Sequence, residues 1–178
     1  GSDFSNSSDW TIESGWVIGT DGPAGTYSSD LPTIASTTAD NGFALYDADV
    51  ISPNGEGSEG SIVTSSALDL SNETSVNVSL EFFHVNFYDT VTVDYSLDNS
   101  TWTRVGVVTE GIAGNAGSEN SALFMTGAIP QVGGESSVWF RVNYKSADPD
   151  WAASVGTAAY GYATMFDDFK ILRPSDND

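Results

Sequence analysis

The stretch "VNVSLEFFHVNFYDTVTVDYSLDNSTW", residues 76–102, decides the fold. Its first part sets Val76, Val78, Leu80 and Phe82 on one side of an extended chain and Asn77, Ser79 and Glu81 on the other. Its second part, "VTVDYSL", alternates Val91, Val93, Tyr95 and Leu97 with Thr92, Asp94 and Ser96. Successive side chains of a strand leave opposite faces, so both runs read as strands with one face buried. "LDNST" is dense in turn formers and closes a hairpin onto "TWTRVGVV".

The same alternation extends outward. "VWFRVNY" places Val138, Phe140, Val142 and Tyr144 against Trp139, Arg141 and Asn143. "FALYDADV", "SIVTS", "MFDDFKIL" and an opening pair, "WTI" and "WVI" around "ESG", supply further strands. No amphipathic helix of about ten residues or more is visible; the one helix-like window, Trp151 to Ala159, is broken by Gly156. About nine strands with turn signals between them and no helices predict an all-β fold, a two-sheet antiparallel jelly-roll β-sandwich. One domain is expected over residues 3–173, with 174–178 a tail or linker. Gly1-Ser2 reads as a cloning remnant, no signal peptide opens the chain, and an upstream segment is expected.

Composition narrows the partners. The 178 residues carry 25 acidic and 5 basic side chains, a formal net charge of -20. Nucleic acid, whose phosphates need cationic contacts, is excluded as a ligand class, and so is a basic dock on an anionic membrane. No apolar run is long enough to insert in a membrane. The absence of cysteine removes disulfides, thiol nucleophiles and thiolate zinc sites. A secreted protein without disulfides needs another staple.

That staple is suggested by carboxylates on apolar faces. In "MFDDFKIL", Met165, Phe169 and Ile171 share a face with Asp167, while Phe166 and Leu172 share the other with Asp168 and Lys170. In "FALYDADV", Phe43 and Leu45 are in phase with Asp47 and Asp49. An unpaired buried carboxylate costs several kcal/mol, on the order of a lost ion pair. Five basic residues cannot neutralise every such group. Backbone N–H groups or Ca2+, which takes oxygen ligands, are what remain. Asp167 and the Asp47–Asp49 pair are therefore expected to lie at one cation site joining the last strand to an earlier one. The competing reading leaves these residues solvated at strand ends.

Other motifs carry less. "GEGSEG" spaces Gly55, Gly57 and Gly60 as a dinucleotide loop does, but without the flanking strand and helix, and its glutamates would repel phosphate. His84 stands alone, which rules out a two-histidine metal site, and it reads as a structural residue at a strand end. A glycosidase needs only two carboxylates, and nothing singles out a pair. Sequons at Asn6, Asn72, Asn77 and Asn99 fit chance in a chain this rich in Ser and Thr.

"DPDWAASVGTAAYGY" holds Trp151, Tyr160 and Tyr162 in a long loop before the last strand. Sugars stack on flat rings while nearby carboxylates and amides take their hydroxyls. Asp150, with Asp148 and Asn143, could serve that purpose; the alternative is that the rings cover a sandwich edge. Trp10, Trp16 and Trp102 read as core or edge packing.

The order of these segments, from "DFSNSSDWTIESGWVIG" through "NGFALYDADV", "GSIVTSSALDLSN" and the central hairpin to "YGYATMFDDFKIL", resembles the bacterial MAM-like jelly-roll domains. These include the cleaved-adhesin type of large secreted proteins of Bacteroidetes. Where many relatives read Ser-Pro before the "LDLS" segment, this chain has Ser65-Ser66. The resemblance implies a calcium-stabilised jelly roll, with Ca2+ held by the closing acid pair, Asp168 or Asp167, by Asp47 and Asp49, and by Asp3. It implies a non-catalytic module, secreted or on the cell surface, monomeric within a larger chain and binding a glycan or a surface protein. The expected function is thus adhesion or ligand binding, with no catalytic residues. A carbohydrate-binding module attached to a polysaccharide-degrading enzyme is the first alternative; a structural spacer or a carboxylate-based glycosidase is the second.

Overall fold

The computed structural model describes residues 3–174; the expected tail lies almost entirely outside them. Ten strands form two antiparallel sheets of five. They are β1 (Trp10–Ile12), β2 (Trp16–Gly19), β3 (Phe43–Asp47), β4 (Glu59–Thr64), β5 (Asn77–His84), β6 (Thr90–Ser96), β7 (Thr103–Val107), β8 (Ala122–Met125), β9 (Trp139–Lys145) and β10 (Ala163–Leu172). One sheet runs β1-β4-β9-β6-β7 and the other β2-β3-β10-β5-β8. Two short helices, α1 (Ala48–Ile51) and α2 (Pro149–Ser154), lie in connections. This is the expected all-β jelly-roll sandwich.

The alternating residues meet between the sheets. Val78 and Leu80 of β5, Val91 and Val93 of β6, and Phe140, Val142 and Tyr144 of β9 are all buried in one apolar cluster. Leu97, expected on the same face, is exposed because β6 ends at Ser96 and the hairpin turns outward. Aromatic rings pack together in the core: Phe4 stacks on Trp10 at 5.4 Å, and Trp10 meets Phe169 edge-on at 5.1 Å. Such pairs add to burial because ring edges and faces attract.

A second apolar cluster lies on the outer face of the β2-containing sheet, where Ile34 packs against Phe43, Leu45, Phe83, Ala163 and Met165. Leu31 and Ala39 pack against it. The long connection between β2 and β3 therefore seals this face. It explains why β3 is buried on both sides, a pattern that alternation alone does not predict.

Two departures from the sequence expectations concern the acids. β3 stops at Asp47, and Ala48–Ile51 forms a helical turn, so Asp47 and Asp49 do not share a strand face. In β10 the register against β5 shifts between Asp167 and Lys170, and Asp168 adopts φ 50°. That bulge resets the phase: Phe166 and Phe169 both enter the inter-sheet core, while Met165 joins the outer cluster. Met165 and Phe169 thus do not share a face.

Candidate functional site

One end of the sandwich gathers the loops that follow β3, β5 and β9 and the turn that precedes β10. Val85–Asp89 links β5 to β6, and its amides interlock with the loop at 112–117. Asn86 N donates to Ala116 O at 2.9 Å, Asn115 N to Asn86 O at 2.8 Å, and Asn86 Nδ2 to Ile112 O at 2.6 Å.

Asp89, buried beneath this loop, holds it from below. Its Oδ1 accepts from Phe87 N at 3.0 Å and lies 3.1 Å from His84 Nε2; its Oδ2 accepts from the Tyr144 hydroxyl at 2.7 Å. The other ring nitrogen, Nδ1, lies 2.9 Å from the Thr164 hydroxyl, so both imidazole nitrogens have a hydrogen-bond partner. Burial, and secondarily the Asp89 charge, pushes the Tyr144 hydroxyl well above its ordinary pKa, so it stays a donor. His84 is fully buried in this structural network.

With its backbone fixed, the loop presents Phe87 and Tyr88, the latter at φ 63°. Ring centroids run from Trp151 to Tyr88 at 5.5 Å, to Phe87 at 5.6 Å, then to Tyr162 at 6.0 Å and Tyr160 at 6.1 Å. Two clefts flank Phe87. One, of about 230 Å³, is lined by Tyr27, Asp49, Phe87, Tyr160, Gly161 and Tyr162. The other, of about 430 Å³, is lined by Phe87, Tyr88, Asn115, Trp151, Val155 and Thr157. Another cleft, of about 300 Å³, beside Trp10, Leu68 and Phe169, lies away from this end.

The structure thus joins Trp151, Tyr160 and Tyr162 in one row. It does not bring Asp150 into either cleft; Asp150 is exposed in the first turn of α2, where its N–H donates to Asp148 Oδ1 at 2.9 Å. Asp148 is the N-cap of that helix, and Asn143 lies on the other sheet, bonded to Ser61 and Glu59. The carboxylate in the row is Asp49. Sequence reasoning missed Phe87, Tyr88 and Tyr27; "NFYD" ending a strand, with two adjacent aromatics before an acid, was the available signal.

Asp47 and Asp49 answer the question of compensation differently from the expectation. Asp47 Oδ2 accepts from the amides of Ala24 at 2.7 Å and Gly25 at 3.1 Å, and its Oδ1 from the Ser28 hydroxyl at 2.8 Å. Asp49 Oδ2 accepts from the amides of Tyr27 and Ser28. Backbone donors hold these two acids, and in return the acids pin the loop that carries Tyr27. Asp49 Oδ1 makes no hydrogen bond among the described residues.

Asp167 and Asp168 lie elsewhere. Asp47 pairs with Ala163 in the β3–β10 ladder, and Asp167 is four residues further along, roughly 13 Å at the rise of a strand. The two acid pairs do not form the single site expected. Asp167 Oδ2 accepts from the Ser36 hydroxyl at 2.6 Å and the Thr38 hydroxyl at 3.1 Å. The same Thr38 oxygen lies 3.3 Å from Asp168 Oδ2. Asp168 Oδ1 is 3.3 Å from Lys170 Nζ, whose side chain is mostly exposed. Burial raises the Asp167 carboxyl above its ordinary value, against the pull of its donors. Asp3 is a separate neighbour of the β2–β3 connection, accepting from Ser5 and from Asn41 Nδ2 at 3.2 Å. Among the described residues no three acidic or histidine side chains converge as a cation cage.

Several solved structures share this fold. The K1 cleaved adhesin domain of Lys-gingipain from Porphyromonas gingivalis is 15% identical, with 95% of this chain and 94% of that one covered and a TM-score of 0.57. The K3 cleaved adhesin domain of the same protein is 11% identical, with 96% of each chain covered and a TM-score of 0.52. An arabinose-bound α-L-arabinofuranosidase is 16% identical with a TM-score of 0.52, but this chain spans only 23% of its length. No protein-family description matches the sequence, and no curated protein does.

Proposed function

We propose that this domain is a non-catalytic ligand-binding module of a secreted or surface protein, and that it binds glycan chains on the aromatic row from Trp151 to Tyr160. The observation that carries the proposal is that row itself. Five rings from two separate connections form one contiguous row through Phe87 and Tyr88, beside the buried Asp49 carboxylate. Flat rings cover the C–H faces of a sugar, and a few fixed polar groups orient it. The likeness to cleaved adhesin domains and to a segment of an arabinose-bound glycosidase supports a module of this kind.

Ca2+ is proposed as a stabiliser rather than a reagent. Asp167, Asp168, Ser36 and Thr38 would hold it; Thr38 Oγ1 lies within 3.3 Å of one oxygen of each Asp, Ser36 Oγ meets Asp167 Oδ2, and an all-oxygen set suits a hard cation. A cation there would tie the β2–β3 connection to the bulge of β10 and relieve the burial cost of Asp167.

Affinity electrophoresis through gels containing soluble polysaccharides tests the glycan proposal. Retardation by at least one polysaccharide, lost in Trp151→Ala and Tyr160→Ala, is expected. Equal mobility in every gel would end it.

A further inference from the structure

Resting on the glycan reading above, the geometry points to a ligand class and a minimum length: we infer that the row takes an uncharged oligosaccharide laid across Phe87, with one sugar in each flanking cleft. Phe87 lines both clefts, so sugars seated in the two would be joined across its ring. The clefts differ in polar equipment. One offers the free oxygen of Asp49 and the Tyr160 and Tyr162 rings; the other offers Asn115 and the Trp151 ring. A chain bridging them gains from both, because the second contact becomes intramolecular once the first is made.

The charge of the ligand follows from where the cations are. All five basic residues lie elsewhere: Arg141 pairs with Asp94, Lys145 with Glu59, Lys170 with Asp168 and Arg173 with Glu73, while Arg104 is on the edge strand β7. None lines either cleft. A uronate or sulfated sugar would meet Asp49 there, on a chain of net charge -20, with no counter-charge at hand. Both clefts also have firm walls. The Asp49 carboxylate that pins the Tyr27 loop and the Asp89 network that pins Phe87 set the ring positions before a ligand arrives, which lowers the cost of binding.

Isothermal titration of the whole domain with neutral gluco-, xylo- and galacto-oligosaccharides, one to four units long, and with oligogalacturonates of matched length tests this. A rise of about tenfold or more in affinity from monosaccharide to trisaccharide is expected for a neutral series. Trp151→Ala and Tyr160→Ala, each emptying one cleft, should both return the trisaccharide to the affinity of the monosaccharide. Equal affinity at all lengths, an unchanged trisaccharide affinity in either variant, or tighter binding of the oligogalacturonate would overturn the inference and leave glycan binding standing. Failure of every polysaccharide to retard the domain in gels would instead overturn the glycan reading.

Discussion

The Tyr144 hydroxyl donates to the Asp89 carboxylate at 2.7 Å, and through that bond the core of one sheet fixes the loop that carries Phe87 and Tyr88. Tyr144 itself is held by Tyr46, stacked at 4.2 Å. The aromatic row is therefore built on the core rather than on a free loop. Tyr144→Phe keeps the stack but leaves Asp89 short of a donor in a buried place. A loss of about 1–3 kcal/mol is expected, read by urea denaturation, together with weaker glycan retention. Unchanged stability and retention would show that the bond does not set the loop.

Gly161 marks the tightest point under the row. A Cβ there would run into the Tyr144 hydroxyl and, at 2.6 Å, into Ala48 Cβ. Gly161→Ala should therefore push the backbone outward and displace Tyr160 and Tyr162. A cost of about 1–3 kcal/mol is expected from overpacking, and circular dichroism melts with gel retardation would show both effects. A variant as stable as the parent, with retention intact, would contradict this placement.

The two acid pairs should separate under chelation. If Asp167 and Asp168 hold Ca2+, EDTA lowers the melting temperature and added Ca2+ restores it; a hundredfold excess over Kd corresponds to about 2.7 kcal/mol. Asp167→Asn and Asp168→Asn should abolish that response. Asp47→Asn and Asp49→Asn should lose roughly 1.5–3 kcal/mol as their amide-bound charge is removed, yet keep the response to Ca2+. Melting curves of the parent that coincide in EDTA and in Ca2+ would remove the cation from the account.

Without a cation, ionisation of Asp167 lowers stability as pH rises. Burial raises its carboxyl above the ordinary 3.8, so the folded chain binds this proton more tightly than the unfolded chain. Its favourable contribution is present below the ordinary value and is lost as pH rises through the raised one. Asp98 has the opposite sign: donors in the hairpin turn, first the Thr101 amide, hold it far below the ordinary range, so its contribution is lost only in strong acid. In EDTA, Asp167→Asn should match or exceed the parent in stability at neutral pH and fall behind it in acid. A parent that is the more stable at neutral pH would contradict the burial argument.

The sandwich was legible because its central strands obey a period of two: every inward residue assigned to "VNVSLEFF" and "VWFRVNY" is buried. β8 was not, since "ALFM" is apolar at every position: exposed Leu123 and Met125 alternate with Ala122 and Phe124, which pack on the core, and no polar residue marks the outer face. The phase of "MFDDFKIL" was hidden by a bulge at Asp168, whose positive φ no alternation rule anticipates. The separation of the two acid pairs was likewise hidden, because it depends on which loop amides reach each carboxylate. Trp151, Tyr160 and Tyr162 were legible as a group, whereas Phe87 and Tyr88 looked like the continuation of a strand.

Binding at this loop end is the central claim, and a titration followed by amide and indole NMR shifts tests it most directly. With a neutral oligosaccharide that the domain retains, shifts should concentrate on the Trp151 indole and on the amides of 86–89, 113–116 and 157–162. Shifts centred instead on the outer face of the other sheet, around Trp102, Trp139 and Arg141, would contradict the account.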